Sequence, residues 1–480
     1  EPSSGSELSF SKDTVYLDTV FSNIGSSTYN LRVYNKSNKD IKIPSIRLNK
    51  GESSNFRLMV DGMAGKNFEN VELLANDSLF IFVETTVDIK QQTNGKEFLY
   101  TDEILFQSGS QQQTVNLVTL VKDAVFLYPQ RFEDGSYESL NFGDVKIYGF
   151  FLDENDPVNG NELEWNNNKP YVIYGYAAVP PDKILEISEG AEVHFHRNSG
   201  LVTFSNGTLN ANGSIENPII FQGNRLEPSF EDTPGQWDGI WISQDSDVNL
   251  SNVVIKNAVD GLFINKNKQP ANLYNVQIYN CERNGLLLQV ANVISKNIVT
   301  NNCGIAAVNI NYGGSYDFTH CTFTNYWSRQ NQTVVVMNNG DGSTEFALNA
   351  QFKNSIIYGN ASESLLLLPA NKEVNFNFKF EYSLIKFLNT SKVHNTESFP
   401  YHFVNTTNYN NNLIEKTFNE YPPHFKNTSK NQMMITEKAT SIIGFGNAFF
   451  AQQVPLDLLG KNRLSTSDLG AYQHLINVED

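Results

Sequence analysis

Between Leu250 and Gly359 apolar and polar residues alternate in a short phrase that the chain writes about five times. The clearest copies are Leu250-Ser-Asn-Val-Val-Ile-Lys-Asn257 and Leu273-Tyr-Asn-Val-Gln-Ile-Tyr-Asn280. Degraded copies follow at Ile294–Asn301, Phe318–Asn325 and Phe352–Gly359. Alternation at period two predicts strands with one buried face. The copies start at residues 250, 273, 294, 318 and 352, so they lie 23, 21, 24 and 34 apart. A strand unit recurring roughly every 20–50 residues predicts stacked coils, each burying its apolar side against its neighbours. Asparagine at the phrase ends (Asn257, Asn280, Asn301, Asn325) fits turns with left-handed backbone, where stacked amides can hydrogen-bond in a ladder. Gly261, Gly285 and Gly304 precede the next apolar runs, such as Leu262-Phe-Ile and Leu286-Leu-Leu, and mark the next bend.

The pattern divides the chain. Residues 1–7 are polar and carry Ser and Gly, as a flexible tether would. Residues 8–124 alternate in short runs, Thr14–Leu17, Tyr29–Tyr34, Phe56–Val60, Leu79–Val87, Glu103–Phe106 and Thr114–Val121, between polar turns, which predicts a β-sandwich. Residues 125–182 read as a bridge rich in loop signals, among them Asp156-Pro157 and Asn159-Gly160. Regular coils are expected over 183–385, then irregular coils and a cap over 386–480. The fold class is therefore all-β.

Two stretches carry a resemblance. Tyr29-Asn-Leu-Arg-Val-Tyr-Asn-Lys-Ser-Asn-Lys-Asp-Ile-Lys-Ile resembles the hairpins of immunoglobulin-like modules that precede larger domains in bacterial surface proteins. From residue 184 the order Ile184-Leu-Glu-Ile-Ser-Glu-Gly-Ala-Glu-Val-His-Phe, then Asn206-Gly-Thr-Leu, Pro218-Ile-Ile-Phe and Gly235-Gln-Trp-Asp-Gly-Ile-Trp-Ile resembles right-handed parallel β-helix proteins of the pectate-lyase-like superfamily. The tail, Gly460-Lys-Asn-Arg463 followed by Asp468-Leu-Gly-Ala-Tyr-Gln, is similar to an ending common in that group. The usual "S-x-x-I-D-x-G" step before it appears as Ser441-Ile-Ile-Gly-Phe-Gly446, without its aspartate. The resemblance implies an exported protein at the cell surface or outer membrane of a Gram-negative bacterium. Attachment would come only through an N-terminal lipid anchor, to be tested by looking for a lipobox upstream.

Composition narrows the partners. A formal charge of −17 argues against nucleic acid as a partner, since neutralising phosphates requires a basic stripe. With 40% hydrophobic and 12% aromatic residues, the chain is not a wholly disordered one. Cys281, Cys303 and Cys321 have neither zinc nor disulfide-framework spacing and read as small buried residues. No apolar run is long enough for a membrane helix.

Catalytic clusters are harder to find. A polygalacturonase-type hydrolase needs converging aspartates, and a pectate lyase needs acidic calcium ligands and a base. Asp238, Asp260, Glu282 and Asp317 do not share a position in the phrase, and Arg283 reads as a surface partner of Glu282. The acidic run Asp153–Glu162 lacks EF-hand spacing and reads as a solvated loop. His194 and His196 flank Phe195, so a strand would turn both imidazoles to one side, where they could meet a ligand. His320 stands in for Asn in one copy. Trp237 and Trp241, four apart, should face the same way, with Trp237 in packing. Trp165, Trp327, Tyr326 and Tyr312 lie near turns and are candidate contacts for a sugar or a protein. No catalytic residue, metal or cofactor is implied. The expected function is a non-catalytic surface scaffold or interaction subunit that contacts other outer-membrane proteins. The alternatives are a carbohydrate-binding adhesin, or a polysaccharide lyase or hydrolase.

Overall fold

The computed structural model of the chain describes residues 7–108, 111–329, 331–370, 373–388 and 406–476. The expected tether lies outside the described residues, apart from Glu7. The protein is all-β, and Ala448–Gln453 is the one α-helix among the described residues. It divides into two compact units. The first is the chain up to Ala124 with Arg225–Phe230, and the second is the rest.

The first unit holds two five-stranded sheets. One orders its strands Ser9–Phe10, Tyr29–Tyr34, Ser78–Thr85, Phe56–Val60, Met63–Gly65, all antiparallel. The other runs Thr14–Phe21, Gln111–Lys122, Glu97–Ser108, Ile41–Leu48, Asn67–Leu73, with its first pair parallel. Alternate residues of both, such as Leu31, Val33, Ile43, Ile46, Ile81, Val83 and Val115, share one buried cluster. The hairpin expected after Tyr34 does not form, because Tyr29–Tyr34 and Ile41–Leu48 belong to different sheets. Asn35 pins the crossing. Its buried amide donates to the carbonyls of Lys39, Leu73 and Leu74 at 2.8–3.2 Å and accepts from the Ser37 N–H at 3.0 Å.

In the second unit most strands pair in parallel with one two or three strands later, the antiparallel pairs Ser139–Phe142 with Val145–Phe151 and Phe425–Asn427 with Gln432–Ile435 being exceptions. The pairings fall into three columns. The first column stacks Tyr176–Val179, Gly200–Thr203, Gly239–Ile242, Asp260–Asn265, the leading halves of Asn284–Lys296 and Ala306–Thr319, Thr333–Asn338 and Leu365–Leu368. The second begins Ile184–Ser188, Thr208–Asn212 and the third Tyr171–Ile173, Glu192–Phe195, Ile219–Gly223. One hydrophobic cluster draws residues from all three, including Leu185, Val193, Leu201, Ile240 and Phe318. Pairing starts before residue 183, since Val125–Leu127 already pairs with Tyr171–Ile173 and Phe150 with Ala177. It also continues past 385 to Leu413–Glu415. The stretch read as a bridge is thus part of the stack, with Phe150 and Trp165 in its core.

The repeated phrase turns a corner in its middle. Leu250-Ser stacks in the second column, Val253-Val-Ile in the third, and Asn252 between them has φ 52°. Asn275, Asn297, His320 and Asn354 occupy the same corner at φ 54°, 55°, 54° and 48°. Asn297 Nδ2 donates to Asn275 Oδ1 (2.9 Å), Asn275 Nδ2 to Asn252 Oδ1 (2.8 Å), and Asn252 Nδ2 to the Gly213 carbonyl (3.0 Å). A second ladder runs through Asn257, Asn280 and Asn302, linked at 3.3 and 2.7 Å. The ladder expected at Asn301 and Asn325 is shifted. Asn302 takes the left-handed slot, while Asn325 instead accepts from Cys303 N and Trp327 N and donates to the Cys303 and Thr333 carbonyls.

After Glu415 the chain folds back along the third column. Its residues Met433, Leu458, Ala471 and Tyr472 pack on Tyr279 and Val299, and Ile435, Ala439, Ile442 and Leu469 pack on Ile356, Tyr358 and Leu384. This segment is a strap along the side of the stack, rather than only the end cap expected. The motif Gly460–Arg463 and Asp468–Tyr472 lies in it, and Arg463 is wholly buried.

Candidate functional site

The described residues of the strap pack on the third column, and the first column has an outer face of its own. Its inward residues, among them Ile240, Ile242, Leu262, Ile264, Leu286, Leu288, Val308 and Ile310, are fully buried. Alternation therefore turns the residues between them outward. Read by register, that outer row is Val202, Trp241, Phe263, Leu287, Asn309, Val336 and Leu366. From Trp241 onward the row is half-buried. Trp241 sits between rings, 5.4 Å from Tyr176 and 6.4 Å from both Phe142 and Phe263, centroid to centroid. Successive rungs lie about 4.8 Å apart, so the row forms a stripe parallel to the stack.

The corner preceding this column carries charge. Asp260 N–H donates to the Asp238 carbonyl at 3.1 Å, which places the two aspartates one rung apart. Tyr176 Oη donates to Asp238 Oδ2. Burial, then the hydrogen bond to Asp238, pushes the Tyr176 phenol well above its ordinary pKa, so it remains a donor. Asp260 Oδ1 accepts from Asn284 N (3.2 Å) and Nδ2 (2.7 Å), and its Oδ2 lies 3.5 Å from Arg283. Asn309 Nδ2 donates in turn to Asn284 Oδ1 at 3.1 Å, so a polar relay crosses from the corner to the apolar row. The Arg283 side chain is 53% exposed, so its ion pair orients Asp260 more than it stabilises the fold.

Glycine makes this corner possible. At Gly239, φ is 137° and a Cβ would overlap the Asp260 carbonyl oxygen. This backbone break also upsets the expected parity of Trp237 and Trp241. Trp237 is buried and stacked on Phe195 at 4.2 Å, whereas Trp241 lies beyond the break and faces out. The parity rule holds only within an unbroken strand.

Several expected site residues lie elsewhere. Trp165 is 1% exposed, stacks on Tyr171 and donates Nε1–H to the Glu162 carbonyl, so it is core and not a contact surface. His194 is equally buried, with Nδ1 3.1 Å from the Gly223 carbonyl, while His196 lies past the strand end, exposed, against Tyr174 and Asn224. The shared histidine face is therefore not formed. Tyr326 packs against Phe425 under the strap, which removes it from any ligand. Trp327 is half-buried at the corner beside Gly304, with Arg329 5.8 Å from its ring centre. Tyr312 is half-buried within the strand Ala306–Thr319, at φ 58°, and donates to Asp341 at 3.0 Å. Arg283 pairs with Asp260 of the preceding rung, not with Glu282. Asp238 and Asp260 do share a corner position, which unequal phrase spacing concealed. No group of three or more His, Cys, Asp or Glu among the described residues could hold a metal ion.

The arrangement offers flat apolar contact beside oriented carboxylate and amide groups. That is chemistry for binding an extended surface. Replacing Trp241 with alanine should weaken capture of such a ligand about tenfold, as loss of a large aromatic contact does, with an unchanged far-UV spectrum. Equal binding by the variant would remove the row from the site.

No protein-family model matches the chain, and no curated protein matches it. Over short stretches it is similar to a family 123 glycoside hydrolase from Clostridium perfringens, at 8% identity over 24% of this chain and 26% of that one, with a TM-score of 0.18. It is similar to PapD-like domain 7 of human CEP192, at 11% identity over 26% of this chain and 89% of that one, TM-score 0.17. It is also similar to the periplasmic chaperone SfaE, at 11% over 24% and 58%, TM-score 0.17. The chain thus spans about a quarter of the length of that glycoside hydrolase. Likenesses of this size assign neither fold nor function.

Proposed function

We propose that the chain is a non-catalytic cell-surface binding protein, acting as a scaffold or interaction subunit of an outer-membrane-associated assembly. In this reading the first unit is an immunoglobulin-like β-sandwich and the second a right-handed parallel β-helix. Two facing sheets around one cluster support the former, and three columns of parallel strands around a common core support the latter. The observation that carries the function is the state of the corner carboxylates. Asp238 is held by Tyr176, and Asp260 by Asn284 and Arg283, beside a row of Trp, Phe and Leu. Groups fixed in this way orient a partner better than they shuttle protons. The test is a pull-down from detergent-solubilised outer membranes, compared with a W241A chain. Stoichiometric partners lost in the variant support the reading, and recovery of the chain alone sinks it. Export and the lipid anchor rest on the sequence resemblance.

A second reading, a carbohydrate-binding adhesin, draws on Trp241 and Phe263 beside Asn309 and Asp260, since rings and amides together suit a sugar. A glycan array separates it, because saturable binding there without a protein partner would displace the scaffold reading. Turnover of a polysaccharide abolished by Asp238→Asn would move the assignment to a lyase or hydrolase.

A further inference from the structure

The strap meets the stack through a histidine whose two nitrogens are both committed. His320 is 0% exposed and occupies a left-handed slot otherwise held by asparagine. Its Nδ1 lies 3.2 Å from the Gly470 carbonyl of the strap, an acceptor only, so Nδ1 carries the proton. Its Nε2 lies 2.9 Å from Asn354 Nδ2. The orientation of that amide is fixed independently. Asn354 Oδ1 accepts from Asn447 N at 2.9 Å, and Nδ2 also donates to the Asn447 carbonyl at 3.0 Å. Asn447 belongs to the strap, where it caps the helix Ala448–Gln453. Nε2 is therefore an acceptor with no place for a second proton.

We infer that His320 is an acid-sensitive latch, and that protonating its Nε2 releases the strap from the third column. A proton on Nε2 would face the Asn354 NH2 group donor to donor. Turning the Asn354 amide to accept it would present NH2 to Asn447 N–H and oxygen to the Asn447 carbonyl, breaking both contacts with the strap. Either way the strap loses its hold at the same point. Arg463, itself buried in the strap, shares the Gly470 carbonyl at 3.1 Å and repels a second cation there. The other ionisable groups facing this region are Cys321 beside His320, the Asp317–Lys353 pair on adjacent rungs, and Asp457, Asp468 and His474 in the strap. His474 pairs with Asp468 at 2.8 Å, within the strap and not across to the stack. Release would uncover the apolar row Val299, Ile356 and Leu384.

Burial, then Arg463, holds the His320 pKa well below its ordinary value. A histidine with a depressed folded pKa leaves stability intact above its free value of about 6.5 and costs stability as pH falls below it. The strap-opening equilibrium should therefore rise roughly tenfold per pH unit below about 6.5 until the folded pKa is reached. Hydrogen exchange of peptides from 425–476, corrected for intrinsic rates, measures this in the full chain between pH 7 and 5. His320→Asn restores the residue type of neighbouring rungs and should flatten the dependence while leaving protection at pH 7. Equal pH dependence in H320N and the unaltered chain would overturn the latch. Should H320N lack the native far-UV spectrum, a ¹⁵N titration of His320 in the unaltered chain decides. A Nδ1-protonated neutral ring down to pH 5 supports the inference, and a titration near 6.5 refutes it.

Discussion

Replacing Arg463 with alanine is expected to free the C-terminal strap while the parallel sheet columns stay folded. The guanidinium is wholly buried and donates to Asn297 Oδ1 at 2.9 Å and to the carbonyls of Gly470 (3.1 Å), Ala471 (3.3 Å) and Leu456 (3.4 Å). Burial pulls its pKa down to about 10 against the pull of Asp457 and Asp468, so it is still charged at neutral pH. Both aspartates are fully buried in the strap, where Asp457 accepts from Leu459, Lys461 and Gln473 amides and Asp468 from Gly444 and His474. Alanine would remove the buried cation that balances the two aspartates and leave Asn297 Oδ1 without its donor, whereas the Gly470, Leu456 and Ala471 carbonyls keep His320 Nδ1, Asn297 Nδ2 and Leu458 N. Breaking a buried charged set from one side costs about 3–5 kcal/mol. Measured by hydrogen exchange, amides of the strap should lose protection by roughly 10²- to 10⁴-fold, while those of 240–300 hold theirs. Arg463→Lys should recover only part, because an ammonium cannot reach both the ladder and the Gly470 turn with a planar fork. Strap protection unchanged in R463A would show that apolar packing alone holds it.

The same residue joins two sequence features that look unrelated. The tail motif supplies Arg463, and the repeated phrase supplies Asn297, the end of the amide ladder that Arg463 closes. The phrase therefore does more than pair strands, since its left-handed asparagines present a row of polar groups on which the strap docks. Asn301 and Asn280 do likewise for Thr428 and Asn431.

How much of this was legible depended on whether backbone breaks intervened. Alternation marked Tyr29–Tyr34 and Phe56–Val60 to the residue, because nothing interrupts those strands. Ile41–Leu48 was assigned to the wrong neighbour, since only the buried bonds of Asn35 send the chain to the other sheet. In the second unit the alternation was visible but its parity was not. A left-handed Asn252 or an extended Gly239 with positive φ resets which side comes next, so the outward side of Trp241 and the corner shared by Asp238 and Asp260 were not legible. Asn301 and Asn302 could not be told apart from spacing, because either amide could have met Asn280. Burial of Trp165 and His194 by elements distant in sequence left no local trace. The middle member of each apolar trio, such as Phe263 in Leu262-Phe-Ile, was the one available sign of an outward row.

Alanine at Asn275 should destabilise the stack far more than its small loss of volume implies, and a glycine control divides the reason. Asn275 is 2% exposed, sits at φ 54°, donates to Asn252 Oδ1 and accepts from Asn297 Nδ2. Asn275→Ala keeps a Cβ in left-handed backbone, at about 1–2 kcal/mol, and leaves the half-buried Asn252 amide oxygen without its donor, at about 1–3 kcal/mol. Asn297 Nδ2 loses less, since it also reaches the Leu456 carbonyl at 3.0 Å. Together these predict a loss of about 2–5 kcal/mol, read as a lower urea midpoint in far-UV circular dichroism. Asn275→Gly removes the backbone term and keeps the hydrogen-bond term, so it should fall between alanine and the native chain. Asn275→Asp should be worst, because it sets a carboxylate oxygen against Asn252 Oδ1 in a dry site. If glycine matches the native chain, the amide ladder contributes nothing and asparagine is there only for its backbone. If glycine matches alanine, the reverse holds, and the ladder alone keeps successive rungs in register at this corner.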